Sequence, residues 1–436
     1  MDEPAQSRPG IAVPTNPASD DALHMARAVR LAALGRGTTS PNPVVGCVIV
    51  DASGAHAGEG FHAYAGGPHA EVVALSEAGE RARGGTAYVT LEPCAHTGRT
   101  GPCAEALLKA GIARVVIAVP DPNPQAAGGA GQLRAHGVGV EVGVLAEEAE
   151  RGNAEWLTYM RKGRPHVTWK FAATLDGRSA AEDGTSQWIT SPEARADVHR
   201  LRAESDAIIA GIGTVLADNP RLTARPAPSS PTQPHLTASG PTDPGPAQSG
   251  AAQAGPASDG SAATGLGSRP GASRLASRGL GPAGGAGREP YRQPLRVVVD
   301  TEARTPAHAG VLSAEAPTLV AVADDAETDL RIPVLRLPRS AHGGLDLHAL
   351  LAELARLEVV SVFLEGGATL AGSFMREGLV DRVIAYLAPA LLGSGSAALG
   401  QAGVRTIADT HRLVFEEVTP IGTDLRIIAR PATEEH

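Results

Sequence analysis

Three side chains that bind soft metals occur in two short segments of the sequence. His69 opens the segment His69-Ala70-Glu71, and Cys94 and Cys103 follow further along the chain. Zinc accepts imidazole and thiolate ligands, and a catalytic zinc site normally has three protein ligands with water in the fourth position. The ion lowers the pKa of that water to about 7, so hydroxide is available at neutral pH. The residues therefore predict an open, hydrolytic zinc site.

Glu71 is the candidate proton carrier of this site rather than a fourth ligand. Residues two apart on a helix point in directions about 200° apart, so His69 and Glu71 do not share a helix face. In zinc deaminases, such a carboxylate takes a proton from the water and delivers it to the ring and the leaving amine, within the pattern H-x-E and P-C-x-x-C. This chemistry predicts a deaminase.

The chain departs from that pattern between the two cysteines. Eight residues, rather than two, separate Cys94 from Cys103. The longer loop lies at the mouth of the predicted site and carries His96 and Arg99, which suit an anionic substrate better than a bare nucleoside.

A structural zinc site, or no metal at all, is the alternative interpretation. A structural site normally has four closely spaced ligands, and the sequence offers no fourth ligand near these three. The remaining cysteine, Cys47, lies in the apolar run 44–50, which is typical of a buried strand. We interpret Cys47 as a small core residue.

Length and charge restrict the class of protein. The 436 residues are too many for one ordinary core, and a hydrophobic content of 42% is enough for two. The net charge is −9 and the 38 Lys and Arg residues form no basic cluster, which disfavours a nucleic-acid partner. The acidic start is unlike a signal peptide, and no apolar run reaches the roughly 18 residues of a membrane span. Since two of the three cysteines are assigned to metal, we expect a cytoplasmic protein without disulfides.

The first domain is predicted to span residues 20–164, after a loose tail over 1–19. Its predicted elements are a helix over 22–34 capped by Asp20 or Asp21, a strand around Cys47, a helix from the His69 region, a strand over 86–91, a helix over 104–110 and a strand over 114–119. Alternating strands and helices imply a layered α/β domain. The metal ligands fall at helix starts, where the helix dipole stabilises thiolate and hydroxide.

A second domain, residues 165–436, is predicted to follow a linker at 161–165. Its predicted strands are 166–171, 206–210, 295–300, 318–322, 359–364 and 383–387, with helices between most of them. This is again an α/β layout, consistent with a nucleotide-binding sheet. Within it, 46 of the 65 residues from 226 to 290 are Ala, Gly, Pro or Ser and none is aromatic. Such a segment cannot offset its ordering entropy, so we predict an exposed, disordered insertion.

Six short motifs carry a resemblance to a known family. They are Pro-Asn-Pro-Val-Val-Gly-Cys at 41–47, Pro-His-Ala-Glu-Val at 68–72, Thr-Leu-Glu-Pro-Cys at 90–94 with Cys103, Leu-Asp-Gly-Arg at 175–178, Ser-Gln-Trp-Ile-Thr at 186–190 and Glu-Gly-Gly at 365–367. Together they resemble the bifunctional riboflavin-biosynthesis enzymes that join a pyrimidine deaminase to a pyrimidine reductase. The resemblance covers about residues 20–225 and 291–430. Its departures are the insertion and Gly101, where the family usually has Pro.

For the first domain, the resemblance implies a three-layer fold like that of zinc cytidine deaminases. The implied reaction is hydrolysis of the 2-amino group of 2,5-diamino-6-(5-phosphoribosylamino)pyrimidin-4(3H)-one, with Glu71 as the catalytic residue and His69, Cys94 and Cys103 as zinc ligands. The implied substrate contacts are Asn42, His62, His96, Arg99, Asp121 and Asn123. Amide and carboxylate groups suit a pyrimidinone edge, and Arg and His suit a phosphate. Taken alone, Asp121-Pro122-Asn123-Pro124 is typical of a turn.

For the second domain, the resemblance implies a fold similar to dihydrofolate reductase, which uses NADPH to open the ribosyl group and reduce it to ribityl. Glu365-Gly366-Gly367 would bring backbone N–H groups at a helix start to the cofactor phosphates. The implied NADPH contacts are Ala172, Trp188, Thr214, Asp218, Gly367, Ala368, Thr369, Leu370, Ala371, Gly372 and Ser373. The implied substrate contacts are Lys170, Ser186, Arg202, Leu222, Arg225 and Glu365, with Arg202 and Arg225 as a clamp for the phosphate.

Several alternatives stay open at this point. Taken alone, Arg202 is typical of a solvated surface charge and Trp188 of a core residue, and no residue distinguishes NADPH from NADH. The main hypothesis is one enzyme with two consecutive activities on small phosphorylated pyrimidines. The alternatives are an active deaminase with a non-catalytic reductase-like domain, a zinc-stabilised binding protein, and an RNA-editing deaminase, which the acidic charge disfavours. A homo-oligomer is compatible with the sequence.

Overall fold

The computed structural model describes residues 17–96, 101–225 and 292–432. The predicted insertion over 226–290, most of the predicted tail and the candidate residue Arg99 lie outside these ranges. Among the described residues, none of the helices combines the length and the apolar character that a membrane crossing needs.

The first domain has a five-stranded sheet between two layers of helices. The strands are β1 (Gly46–Val50), β2 (His56–Phe61), β3 (Thr86–Leu91), β4 (Arg114–Val119) and β5 (Gly139–Val142). The α-helices are α1 (Pro17–Ala32), α2 (Ala70–Ala78), α3 (Cys103–Ala110), α4 (Gly129–Ala135), α5 (Ala146–Gly152) and α6 (Ala154–Lys162). The strand order is β2-β1-β3-β4-β5, in which β1 is antiparallel to both neighbours and β3, β4 and β5 are parallel. The predicted three-layer α/β fold is confirmed.

Small residues bring helix α2 against the sheet. Ala70, Ala74 and Ala78 of α2 are buried in the core with the strands. A Cβ at Gly60 of β2 would lie 2.7 Å from the Ala70 carbonyl oxygen, and one at Gly58 would lie 2.5 Å from that of Ala74. The helix backbone therefore rests directly on β2, which fixes the position of the helix start. The opposite face of the sheet packs against α1, α5 and α6.

The prediction for α1 was wrong at its start. The helix begins at Pro17 rather than Ala22, so the last residues of the predicted tail are helical, and it ends at Ala32. Proline is favoured in the first helical turn because it has no N–H that needs a partner there. Asp21 lies inside the helix, and its carboxylate accepts hydrogen bonds from Tyr88 at 2.8 Å and from Arg114 at 2.8 and 2.7 Å.

The second domain has one nine-stranded sheet. Its strands are β6 (His166–Thr174), β7 (Ala207–Gly211), β8 (Leu295–Val299), β9 (Thr318–Ala323), β10 (Val334–Leu337), β11 (Ser361–Leu364), β12 (Arg382–Ala388), β13 (Leu413–Ile421) and β14 (Asp424–Pro431). Its α-helices are α7 (Pro192–Glu204), α8 (Ile212–Asp218), α9 (Leu347–Arg356) and α10 (Ala368–Arg376). The order is β10-β9-β8-β7-β11-β6-β12-β14-β13, parallel except for the pairs that β14 makes. The predicted second α/β domain is confirmed.

The strand order places Glu365 at the carboxyl end of a central strand of the second sheet. Strand β11 lies between β6 and β7, although it follows both by more than a hundred residues in the chain. Glu365 follows the end of β11, and its N–H donates to the carbonyl oxygen of Ile209 in β7 at 2.9 Å. Ligands of open parallel sheets bind at such carboxyl ends, next to a change in strand order.

Charged side chains form ion pairs between the first and the second domain. Arg382, the first residue of β12, donates to Glu155 of α6 at 2.5 Å. Burial alone would raise the pKa of Glu155, but the charges of Arg382, His166 and Arg36 together outweigh burial, and the pKa falls to about 2. Arg164 donates to Asp381 at 2.6 and 2.9 Å, so the predicted linker is anchored on the second domain. His166 lies buried among these groups.

The charged contacts between the two domains, Glu155 with Arg382 and Arg164 with Asp381, form a charged seam. Because His166 is buried in this seam, the free energy of unfolding should depend on pH. The pKa of His166 is lowered from 6.5 to about 4, mainly by burial; the charges of Arg382 and Arg164 act in the same direction, and those of Glu155 and Asp381 oppose the shift. Between these pH values the unfolded chain binds a proton that the folded chain does not, so stability is lost as pH falls. We expect His166 to account for up to about 3 kcal/mol of that loss.

Urea unfolding at a series of pH values from 7 to 4 measures this contribution. The variant His166→Gln, which keeps a polar side chain but does not titrate, should show a flatter dependence than the unmodified chain. Equal slopes for the two proteins would show that His166 does not carry this effect.

Candidate active sites

The three predicted metal ligands lie together in the first domain. His69 directly precedes α2, Cys103 is the first residue of α3, and Cys94 lies on the loop that follows β3. Their donor atoms all lie within 4.8 Å of one another. His69 Nδ1 is 3.2 Å from the Cys103 sulfur and 3.7 Å from the Cys94 sulfur. With zinc–ligand bonds of about 2.0 to 2.3 Å, tetrahedral donors lie roughly 3.5 Å apart, so the set fits zinc.

The two sulfurs form a proton-sharing pair. The hydrogen bond from the Cys103 thiol lowers the pKa of the Cys94 thiol to about 4, and His69 contributes in the same direction. The same bond, together with burial, raises the pKa of Cys103. The Cys103 backbone N–H also lies 3.4 Å from the Cys94 sulfur. One thiolate is therefore available at neutral pH, and binding of a metal by both sulfurs releases the remaining proton.

Glu71 lies in the first turn of α2, beside these ligands. The residue is only 3% exposed, and burial raises the pKa of its carboxyl group. A raised pKa suits a group that must hold a proton during part of a reaction. Burial, and next the charge of Glu71, raise the pKa of the Cys47 thiol, which is consistent with the prediction that Cys47 is a core residue.

Asn42 and His62 form a hydrogen-bonded pair next to the metal ligands. The His62 Nδ1 atom is 3.0 Å from the Pro68 carbonyl oxygen, so Nδ1 carries the proton. Nε2 then accepts from the Asn42 side-chain amide at 3.4 Å. Burial lowers the pKa of His62, which favours the neutral form of the ring. Its ring contacts that of His69 edge to face, with centroids 5.5 Å apart.

Asp121 and Asn123 lie on the loop after β4, and both side chains take part in a turn. Asp121 accepts a hydrogen bond from the Asn123 N–H at 2.8 Å, and Asn123 accepts one from the Gln125 N–H at 3.1 Å. The turn that the residue types predicted is therefore present. Burial raises the pKa of Asp121 to about 6, and His96, which is exposed, opposes the shift.

Glu92 is a residue of this site to which the sequence assigned no role. Its carboxylate accepts hydrogen bonds from the backbone N–H groups of Asp121, Gly128 and Ala130, at 3.1, 3.1 and 2.9 Å. The residue stands two positions before Cys94 in a motif that the sequence analysis quoted. That proximity was the available signal, but the partners belong to a different segment and become visible only in the fold.

Arg202 of the second domain is paired with Glu365. Its Nε and Nη2 atoms donate to the two carboxylate oxygens at 2.5 and 2.8 Å, and Nη1 donates to the Thr223 carbonyl oxygen at 3.3 Å. The bidentate face of Arg202 therefore binds a carboxylate in this structure, and the expected clamp on a phosphate stays a prediction. The surface-charge interpretation is wrong, since the side chain is 17% exposed. Arg225 is exposed.

Lys170 and His199 lie beside this ion pair. Burial lowers the pKa of Lys170; the charge of Glu365 opposes the shift and that of Arg202 adds to it. His199 stands one helical turn before Arg202 on α7, and burial and the charges of Arg202 and Arg225 lower its pKa. The sequence analysis missed His199, although a spacing of three residues from Arg202 predicts neighbouring positions on a helix.

The start of α10 has the form expected of a phosphate-binding turn. Gly367 directly precedes the helix, and its N–H donates to the Thr214 side chain at 3.1 Å. A Cβ at Gly366 would lie 2.8 Å from Leu370, so only glycine leaves this turn undisturbed. The residues present thus fit the phosphates of a dinucleotide at a helix start.

The other implied cofactor contacts are placed unevenly. Thr369 is exposed and Ser373 is partly exposed, whereas Ala371 and Gly372 lie on the buried face of α10. Trp188 is 70% exposed, with the Arg195 guanidinium 4.5 Å from its ring centre, so the core interpretation is wrong. Of the remaining implied cofactor contacts, Ala172, Ala368 and Leu370 are partly exposed and Asp218 is exposed. Of the implied substrate contacts, Ser186 is partly exposed and Leu222 is buried.

Each of the two domains matches a known protein family. A family model described as the cytidine and deoxycytidylate deaminase zinc-binding region matches residues 18–119, and one described as the RibD C-terminal domain matches residues 165–427. The riboflavin biosynthesis protein RibD of Escherichia coli K12 is 41% identical over 409 residues, which cover 93% of this chain and 98% of that protein. RibD of Mycobacterium tuberculosis H37Rv is 42% identical over 391 residues, covering 89% and 91% respectively.

Solved structures agree with this match. Acinetobacter baumannii RibD, form 1, is 36% identical with a TM-score of 0.73, over 95% of this chain and 100% of that one. The diaminohydroxyphosphoribosylaminopyrimidine deaminase/5-amino-6-(5-phosphoribosylamino)uracil reductase from Thermotoga maritima is 29% identical with a TM-score of 0.73, over 96% of this chain and 100% of that one.

The metal centre can be tested through metal content alone. We expect Cys103→Ser to lower bound zinc from about one ion per chain to a small fraction, because two remaining ligands hold zinc far more weakly than three. Elemental analysis of the purified protein measures this. Cys47→Ala is the matched control and should keep its zinc; equal loss from both variants would contradict the assigned ligand set.

Proposed function

Because the chain belongs to the RibD family of bifunctional riboflavin-biosynthesis enzymes, we propose here the roles of its individual residues. The protein is a zinc-dependent deaminase and an NADPH-dependent reductase that acts on small phosphorylated pyrimidines. The first reaction removes the 2-amino group of 2,5-diamino-6-(5-phosphoribosylamino)pyrimidin-4(3H)-one, and the second reduces the ribosyl group to ribityl. We assign residues 20–164 to the deaminase domain and 165–436 to the reductase domain, which the extents of the two family matches support.

The deaminase roles rest mainly on one observation: three metal donors converge beside a buried carboxylate. His69, Cys94 and Cys103 would hold a zinc ion, which would supply an acidified water and stabilise negative charge. Glu71 takes the proton of the attacking water and delivers it to the leaving nitrogen, while a C–O bond forms and the C–N bond breaks to release ammonia. Its raised pKa allows the carboxyl group to hold that proton between the two transfers.

The remaining deaminase residues orient the pyrimidine. Asn42 is held by His62, so its amide is presented in a fixed orientation. Asp121 and Asn123 lie on a single ordered turn and offer polar groups to the ring edge. We assign the substrate phosphate to His96, which is exposed, and to Arg99, following the resemblance.

The reductase roles centre on the group formed by Lys170, Arg202 and Glu365. Gly367 and Thr214 lie where the turn before α10 would bind the phosphates of NADPH, which would supply the hydride when bound. Lys170 holds the proton that the ribosyl oxygen takes when the ring opens, and burial weakens its hold on that proton. Arg202 fixes Glu365 in place, and we assign the substrate phosphate to Arg225.

The interaction partners follow from charge and exposed surface. With a net charge of −9, the chain lacks the basic balance that nucleic-acid binding requires, and we propose a cytoplasmic location.

Strand β13 is the last strand of the large sheet and exposes Phe415, Val418 and Val414 by 68, 53 and 41%. Exposed apolar strands at a sheet edge favour association, so we propose that a second copy of this chain covers β13.

Replacement of Glu71 tests the deaminase assignment. We expect Glu71→Gln to keep zinc but to lower the rate of ammonia release by about 10²- to 10⁴-fold, because the amide cannot carry the proton. Reduction of the deaminated substrate, followed through loss of NADPH absorbance, should be unchanged. Full deaminase activity in this variant would contradict the proton-carrier role of Glu71, whereas no ammonia release from the unmodified protein would favour the zinc-stabilised binding protein.

Lys170→Met provides the reciprocal control. It should abolish NADPH oxidation while ammonia release stays at the unmodified rate, since the substitution lies in the other domain. If the unmodified protein itself did not oxidise NADPH with deaminated substrate, the second domain would be non-catalytic.

The proposed self-association is tested by light scattering on the purified chain. The unmodified protein should have a mass above 44.3 kDa, and Phe415→Glu should lower it toward that monomer mass. Leu23→Glu is the control, because Leu23 is similarly exposed, by 64%, but lies on α1. A monomeric unmodified protein would contradict the proposal.

A further inference from the structure

Glu92 lies between the segment that carries the metal ligand Cys94 and the loop that follows β4. It follows the last residue of β3 and precedes Pro93 and the metal ligand Cys94. Its own N–H donates to the Val119 carbonyl oxygen at the end of β4, at 2.9 Å. Its backbone thus joins two parallel strands at their carboxyl ends, and its side chain extends over the loop that follows β4.

The three bonds of the Glu92 carboxylate divide between two places on that loop. One oxygen accepts from the N–H groups of Gly128 and Ala130, at the start of α4, at 3.1 and 2.9 Å. The other accepts from the N–H of Asp121 at 3.1 Å. A single side chain therefore holds both ends of the loop that carries Asp121 and Asn123.

Two further contacts fix the same loop to the metal-binding segment. The N–H of Ala95 donates to the Ala126 carbonyl oxygen at 3.0 Å. A Cβ at Gly129 would lie 1.8 Å from the Pro93 carbonyl oxygen, so the start of α4 rests directly on the residue before Cys94. The loop after β4 therefore packs directly against the residues on either side of Cys94.

We propose that Glu92 is a positioning residue of the deaminase, which sets the placement of Asp121 and Asn123 relative to the metal ligand Cys94. It acts through the backbone of the loop and does not contact the substrate. The inference rests on the substrate-binding role proposed for Asp121 and Asn123, and it assigns to Glu92 no part in holding the metal.

The chemistry of the three bonds requires a carboxylate of this length. All three partners are N–H donors, and an ionised carboxylate is a side chain with two acceptor oxygens and no donor. In Glu92→Gln, the amide oxygen can keep Gly128 and Ala130, but the NH₂ group then faces the N–H of Asp121. In Glu92→Asp, the shorter side chain cannot reach both ends of the loop.

The test measures both reactions and the zinc content of the same protein preparations. For Glu92→Gln and Glu92→Asp, we expect kcat/KM for ammonia release to fall by about 10- to 100-fold, the range typical of residues that orient an active-site group. Most of the change should be in KM, because a displaced loop binds the substrate less well before and during reaction. Zinc content and the reductase rate should be unchanged.

Glu105→Gln is the matched control. Its side chain is 45% exposed on α3 and forms an ion pair with Lys109, at 3.3 Å, so the deaminase kinetics of this variant should equal those of the unmodified protein. A second check combines Glu92→Gln with Asp121→Ala. If Glu92 acts through the loop, the loss in the double variant is smaller than the product of the two single losses, whereas independent roles would multiply them.

The outcomes separate this inference from the proposed function. Unchanged ammonia release in Glu92→Gln, or multiplied losses in the double variant, would overturn the positioning role. Loss of zinc or of reductase activity along with ammonia release would also overturn it, because Glu92 would then support the metal site or the fold. Full activity of Asp121→Ala would instead overturn the substrate-binding role from which the inference starts.

Discussion

The deaminase site depends on the direct packing of helix α2 on strand β2. Gly58 and Gly60 leave no side chain between the strand and the helix backbone, and alanines on α2 complete the contact. This contact fixes the first turn of the helix, and with it His69 and Glu71, relative to the sheet. The cysteine ligands come from the loop after β3 and from the start of α3, so the metal ligands lie on three separate segments of the chain.

The reductase site is organised by a buried ion pair rather than by a metal. Arg202 reaches from α7 to Glu365 at the end of β11, and the two side chains are 17% and 9% exposed. Removing one partner of such a pair would leave an uncompensated charge, so the pair holds helix and strand end together. Because Glu365 is held in this way, the negative charge next to Lys170 keeps a defined position.

The two domains are joined by contacts of the same kind. Glu155 of the first domain binds Arg382 of the second, and Arg164 binds Asp381. These residues stand at the ends of elements, next to the connection between the domains. A single chain thus carries two unrelated kinds of chemistry on two sheets that share a charged seam.

The sequence by itself determined the alternation of strands and helices, the metal ligands and Glu71, because periodicity and residue type are local properties. It also indicated Asp121-Pro122-Asn123 as a turn. Only the tertiary structure decided that Arg202 binds Glu365, that Glu92 holds the loop of Asp121, and that β13 and β14 extend the second sheet. Those pairings join residues distant in the chain, and no local pattern encodes which acceptor a given donor meets after folding.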